Sequence, residues 1–152
     1  MKSKKMMGEK PEGPLEFYSP AKDGEVKLNL YAHPIPAGFP SPADDFLEKR
    51  LDLNDYLVKN KAATFLVRVE GTSMENAGIF DGDVLVVDRS IEASDGKIIL
   101  GVLNGEFTVK RISIQKGRLF LVPENQQFKP IEVTEEMDFK IWGVVTFALH
   151  KL

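Results

Sequence analysis

A serine acts as a nucleophile only when a base takes its proton, and this chain offers few candidates for either role. Its two histidines are His33, in a proline-rich stretch, and His150, near the C-terminus. Each is expected to be a surface residue, so a Ser-His-Asp arrangement has little support. There is no cysteine, which removes a thiol nucleophile, thiolate zinc sites and disulfides together. Lysine can replace histidine when neutral, which requires its pKa to move from ~10.4 toward ~7, a shift that burial supplies.

Two short runs hold the candidates. In VEGTSMENAGIFDGDVLVVD, residues 69–88, a strand is expected to end at Glu70. A Gly-bearing turn follows and carries Ser73 beside Met74. A serine on such a turn can expose its hydroxyl while nearby backbone N–H groups form an oxyanion hole. Taken alone, it is usually just a turn residue. Asp81-Gly82-Asp83 then turns the chain into the apolar strand Val84–Val87. In EFTVKRISI, Phe107 and Val109 share one face of a strand while Ile112 and Ile114 fall on the other. The phase slips at Lys110-Arg111, where a twist or bulge could turn one of these side chains inward. By itself this is also the pattern of a solvated strand lysine.

The elements that must position these residues are mostly strands. TFLVRVEG, DVLVVD, GKIILGVLNG, EFTVKRISI, RLFLVPEN, PIEVTE and KIWGVVTFALHKL are short β-rich runs separated by turn residues. Asn104-Gly105 between two of them signals a type I′ hairpin. Such spacing predicts a mainly β fold, a compact twisted barrel or sandwich with one or two short helices and an extended N-terminal arm. One short helix or two are expected in SPADDFLEKRLDLNDYLV. Ser41 would cap the first turn, Pro42 would start it, and Phe46, Leu47, Arg50 and Leu51 follow at helical spacing. Residues 1–33 are polar, with Val26, Leu28 and Leu30 alternating as one short strand. Residues 33–42, HPIPAGFPSP, carry four prolines and read as an exposed extended linker, the form a protease binds.

The chain has 152 residues, 43% of them hydrophobic and 28% charged, enough for one core. A net charge of −3 gives no basic face for direct sequence-specific DNA binding, and the cluster Lys2, Lys4, Lys5 reads as a solvated tail. No stretch reaches the roughly 20 apolar residues of a membrane span, and no signal-peptide centre is present. Together with the missing cysteines this points to the cytoplasm, with no membrane partner.

The runs GTSMENAGIFDGD, VVD and EFTVKR closely resemble the active-site segments of the UmuD/LexA family of self-cleaving serine peptidases. The resemblance implies Ser73 as nucleophile and Lys110 as general base. The family cuts itself at an Ala-Gly or Cys-Gly bond, and AGFPSP supplies one as Ala37-Gly38. LVPENQQFKPI, residues 121–131, resembles a further family segment that carries no catalytic residue. The implied organisation is an arm, 1–37, removed on self-cleavage from a peptidase domain, 38–152. Ser73 N–H, with Thr72 N–H, would hold the oxyanion.

The absence of the DNA-binding domain of LexA-type repressors favours the UmuD branch. That branch implies a homodimer, stimulation by a RecA–single-stranded DNA filament, and a product that joins an error-prone translesion DNA polymerase in the SOS response. No cofactor and no metal are expected. The alternative reading is a non-catalytic dimeric β-module regulating a polymerase. A matched serine, lysine and cut site argue against it.

Overall fold

Seven runs of alternating or continuous apolar residues become seven strands, and the sheet they form sets the site. The structure, a computed structural model, describes residues 4–5, 16–19, 27–31, 37–38 and 47–152. By compactness the chain divides into two units, Met1–Ala21 with Asn60–Leu152, and Lys22–Lys59.

The larger unit is one antiparallel sheet. Its main strands are β5 (Thr64–Arg68), β6 (Val84–Asp88), β7 (Ile98–Leu103), β8 (Glu106–Gln115), β9 (Arg118–Val122), β10 (Ile131–Val133) and β11 (Phe139–Leu149). Two short strands from the N-terminal region, β1 (Lys4–Lys5) and β2 (Glu16–Ser19), extend it, giving the order β1-β2-β5-β6-β11-β7-β8-β9-β10. The expected mainly β fold is what the chain has. The Lys4–Lys5 segment, expected as a solvated tail, pairs with Tyr18 and Ser19 instead, while Lys2 lies outside the described residues. β2 in turn covers the edge of β5, which would otherwise leave a row of backbone groups unpaired.

The middle strands are apolar on both faces because two hydrophobic clusters flank them. Leu100 of β7 belongs with Val67, Leu85, Val87 and Val109 in one cluster, and its neighbour Ile99 belongs with Ile112, Leu121 and Val144 in the other. Successive strand residues point to opposite faces, so a strand covered on both sides reads as a continuous apolar run. The same arrangement explains the phase slip in β8. Val109 serves the first cluster and Ile112 the second, while the pairing with β7 and β9 runs without a register shift. No bulge is needed at Lys110-Arg111. Asn104 and Gly105 both have positive φ, 50° and 83°, and close the expected β7–β8 hairpin.

β11 is the strand with irregular register, shifting against β7 between Ile141 and Gly143 and against β6 between Val145 and Phe147. At Gly143 an added Cβ would stand 2.6 Å from Val87 Cγ1 and 3.1 Å from the Asp88 carbonyl oxygen. Gly143→Ala is therefore expected to lower stability by about 1–3 kcal/mol, the usual cost of overpacking a core. Urea denaturation checks this, and an unchanged midpoint would contradict it.

The smaller unit pairs β3 (Lys27–Tyr31) with β4 (Leu47–Asp52) and continues into a short helix, α1 (Leu53–Leu57). The strand anticipated around Leu28 is present. The helix anticipated through Leu47, Arg50 and Leu51 is not, since these residues form β4. A spacing of four is a multiple of two, so Leu47 and Leu51 fit a strand as well as a helix, and pairing with β3 decides. The helix starts later, where the Asp52 carboxylate accepts from Asn54 N–H at 2.8 Å. The proposed cap Ser41, together with Pro42 and Phe46, lies outside the described residues. Ala37 and Gly38 sit exposed at a bend between β3 and β4; the rest of the 33–42 linker is also outside them.

Candidate active site

The segment from Val69 to Asp83 is a loop tied at its base and plugged at its tip. Val69 N–H donates to the Asp83 carbonyl at 2.9 Å and Gly82 N–H to the Val69 carbonyl at 2.8 Å. The Asp81 carboxylate accepts from Gly71 N–H at 2.7 Å. Gly71 itself has φ of 96°, a left-handed conformation that a side chain would resist. Beyond it, Met74 and Ile79 are buried in the first cluster at 3% and 4% exposure. Ser73, beside one plug, is thereby held at the mouth of a cleft of about 130 Å³. The cleft is lined by Val69, Gly71 and Met74 on one side and by Phe107, Thr108 and Lys110 on the other.

Lys110 reaches this cleft from the middle of β8. Its Nζ lies 3.1 Å from Ser73 Oγ, 3.0 Å from Thr108 Oγ1 and 3.0 Å from the Val109 carbonyl oxygen. An ammonium has three donors and would satisfy all three partners. A neutral amine has two, which Thr108 and Val109 can take, leaving its lone pair toward the serine hydroxyl. The same geometry thus serves both protonation states. Burial lowers the Lys110 pKa from the ordinary lysine value because it disfavours the charged form.

That shift has a consequence for stability. The folded state binds the Lys110 proton less tightly than the unfolded chain does, so between the two pKa values the unfolded state holds more protons and stability rises with pH. The cost of the buried ammonium is fully present below the folded value and gone above the unfolded one. In a Ser73→Ala background, Lys110→Met is therefore expected to raise the urea midpoint at pH 7, with the gain shrinking as pH rises toward ~10.4. A gain that grows with pH would contradict the assignment.

The loop is also held from outside. Glu124 N–H donates to the Ser73 carbonyl at 2.8 Å, and Asn76 N–H to the Glu124 carbonyl at 2.8 Å. Asn125 Nδ2 donates to the Thr72 carbonyl at 2.8 Å. The sequence placed no functional residue in LVPENQQFKPI, yet its Glu124 and Asn125 grip the Ser73 loop. Thr108, two residues before Lys110, was likewise missed; its only signal was a hydroxyl at i−2 on the same strand face. His150 is not a plain surface residue either. Its Nδ1 lies 2.6 Å from Oδ1 of Asp83, whose side chain is 1% exposed. The structure thus brings together Ser73, Thr72 and Lys110, while Ala37 and Gly38 belong to the smaller unit. Among the described residues no helix is long and apolar enough to cross a membrane.

Residues 29–146 match the family described as Peptidase S24-like. The chain belongs to that family. Among the proteins it is similar to, protein MucA of Escherichia coli is 45% identical over 123 residues, which is 80% of this chain and 84% of that protein. Protein ImpA of Escherichia coli is 40% identical over 133 residues, covering 87% and 90%. The LexA repressor of Xylella fastidiosa is 42% identical over 110 residues, covering 72% of this chain and 52% of the repressor. The likeness follows MucA and ImpA through most of their length and the repressor through about half. This bears out the UmuD-like resemblance read from the motifs.

Proposed function

We propose that this chain is a serine peptidase that cuts its own Ala37–Gly38 bond with Ser73 as nucleophile and Lys110 as general base. The observation that carries the reading is Lys110 Nζ 3.1 Å from Ser73 Oγ, within reach of the proton it must accept. In the proposed sequence, Ser73 Oγ attacks the Ala37 carbonyl carbon and its proton passes to Lys110 Nζ. The N–H groups of Ser73 and Thr72 stabilise the oxyanion; among the described residues neither is taken by another acceptor. Collapse expels the Gly38 amine, which takes the proton from Lys110. A water, deprotonated by Lys110 Nζ, then attacks the ester joining Ser73 to Ala37; the ester C–O bond breaks and Lys110 returns the proton to Ser73 Oγ. Because substrate and nucleophile share one chain, effective concentration replaces affinity.

The arm removed is 1–37 and the product is 38–152. Family membership and the UmuD-like relatives support the wider role. In it, a homodimer in the cytoplasm responds to a RecA–single-stranded DNA filament during the SOS response, and its product serves an error-prone translesion DNA polymerase. The test is the N-terminal sequence of the product after incubation with and without such a filament. A product beginning at Gly38 is expected. A different start, or intact protein under every activating condition, would count against the reading.

A further inference from the structure

A lysine on β8 and a serine on a loop reach each other across 37 residues of sequence, and one side-chain hydrogen bond joins them. The lysine stem is flexible, so that bond cannot by itself fix the distance it spans. The fixing must come from a stiffer path between β8 and the loop.

One such path is present. Arg111, the residue after Lys110, pairs in register with Val122 at the end of β9. Two residues further on, the Glu124 carboxylate accepts from Arg111 Nε, while Arg111 Nη1 donates to the Gly96 carbonyl at 2.7 Å. The backbone of Glu124 then clasps the loop on both sides of Met74. Its N–H donates to the Ser73 carbonyl, and its carbonyl accepts from Asn76 N–H, both at 2.8 Å. Asn125 adds a third tie, to the Thr72 carbonyl at 2.8 Å, and its own Oδ1 accepts from Gln127 N–H at 3.0 Å. Three polar contacts, Lys110 to Ser73, Ser73 to Glu124 and Glu124 to Arg111, thus form a circuit that the peptide bond between Lys110 and Arg111 closes.

We propose that Arg111, Glu124 and Asn125 are positioning residues that hold the Ser73 loop at a fixed distance from Lys110. None of them needs to touch substrate; they act through the loop and through β8. The inference takes its kinetic readout from the peptidase reading above, and its second readout is independent of it.

The variants are Glu124→Ala, Glu124→Gln and Asn125→Ala in the full chain. Glutamine keeps an oxygen for Arg111 Nε and alanine does not. Self-cleavage rates are measured across alkaline pH, and amide exchange at Asn76 and Glu124 is measured in a Ser73→Ala background, where the chain stays whole. Both alanine variants are expected to cut about tenfold more slowly or worse at every pH, as small misplacements of reacting groups do. The pH of half-maximal rate should stay in place, Glu124→Gln should recover most of the loss, and both amides should exchange faster in the alanine variants. Wild-type rates in both alanine variants, or unchanged exchange, overturn the proposal. If the wild type never cuts itself, the peptidase reading fails, and faster exchange in the variants still supports the circuit.

Discussion

Ser73→Ala and Lys110→Ala proteins are each expected to stay intact wherever the wild type cuts itself, a loss of about 10⁴-fold or more for either member of a unit that acts together. The structure says why the loss should be chemical. The loop bearing Ser73 is anchored by Met74 and Ile79 in the core and by backbone bonds at its base. Its side-chain oxygen adds one bond, to Lys110. Lys110 in turn sits in a strand whose pairing with β7 and β9 is continuous, and that pairing uses no side chain. Circular dichroism and the urea midpoint of Ser73→Ala should therefore match the wild type. Intact mass after prolonged incubation is the readout. A Lys110→Ala protein that cuts itself near the wild-type rate would show that another group is the base.

The second large effect is pH. In the proposed mechanism only the neutral amine can accept the Ser73 proton, so below the Lys110 pKa the unassisted rate should climb by about tenfold per pH unit. Burial lowers that pKa, so the curve should bend toward its plateau before the ordinary value of ~10.4 is reached. A histidine base would give a rise complete near pH 7–8 instead. His33→Ala should leave the profile unchanged. His150→Ala should leave its shape unchanged too, but at a cost in stability. Asp83 would then retain Phe80 N–H at 2.8 Å and lose its partner at 2.6 Å. Leaving a buried group short of a partner costs roughly 1–3 kcal/mol. Loss of cleavage in either histidine variant, with the fold intact, would remove lysine from the proposed mechanism.

Much of the sheet was legible because its strands alternate or run apolar between turn residues, and Asn104-Gly105 carried its own hairpin signature. The next hairpin gave less warning. Lys116 and Gly117 take positive φ, 50° and 75°, and lysine does not announce that conformation. β2 was hidden because four residues in a polar arm carry too short a pattern, and its partner β5 lies far along the chain. In the site, Ser73 and Lys110 were nameable by residue type and family motif. Glu124 was not, because the loop is held by its backbone, which any residue type possesses. Asn125 and Thr108 act through ordinary polar side chains whose meaning depends on what the fold sets opposite them.

The pairing of β2 on β5 gives the proposed cut a second meaning. Glu16, Phe17 and Tyr18 lie opposite Arg68, Val67 and Leu66, and a break between Ala37 and Gly38 would leave the two strands in separate polypeptides. β3 and β4, paired across the same break, would be separated as well. Three residue pairs on β5 and five on β4 seat strands that belong to the same molecule, but they hold a free peptide less well at low concentration. Once the peptide leaves, the outer N–H and C=O groups of β5 become a template on which another extended chain can add itself. Scission would then work as an unveiling, turning a finished margin of the sheet into a vacant one.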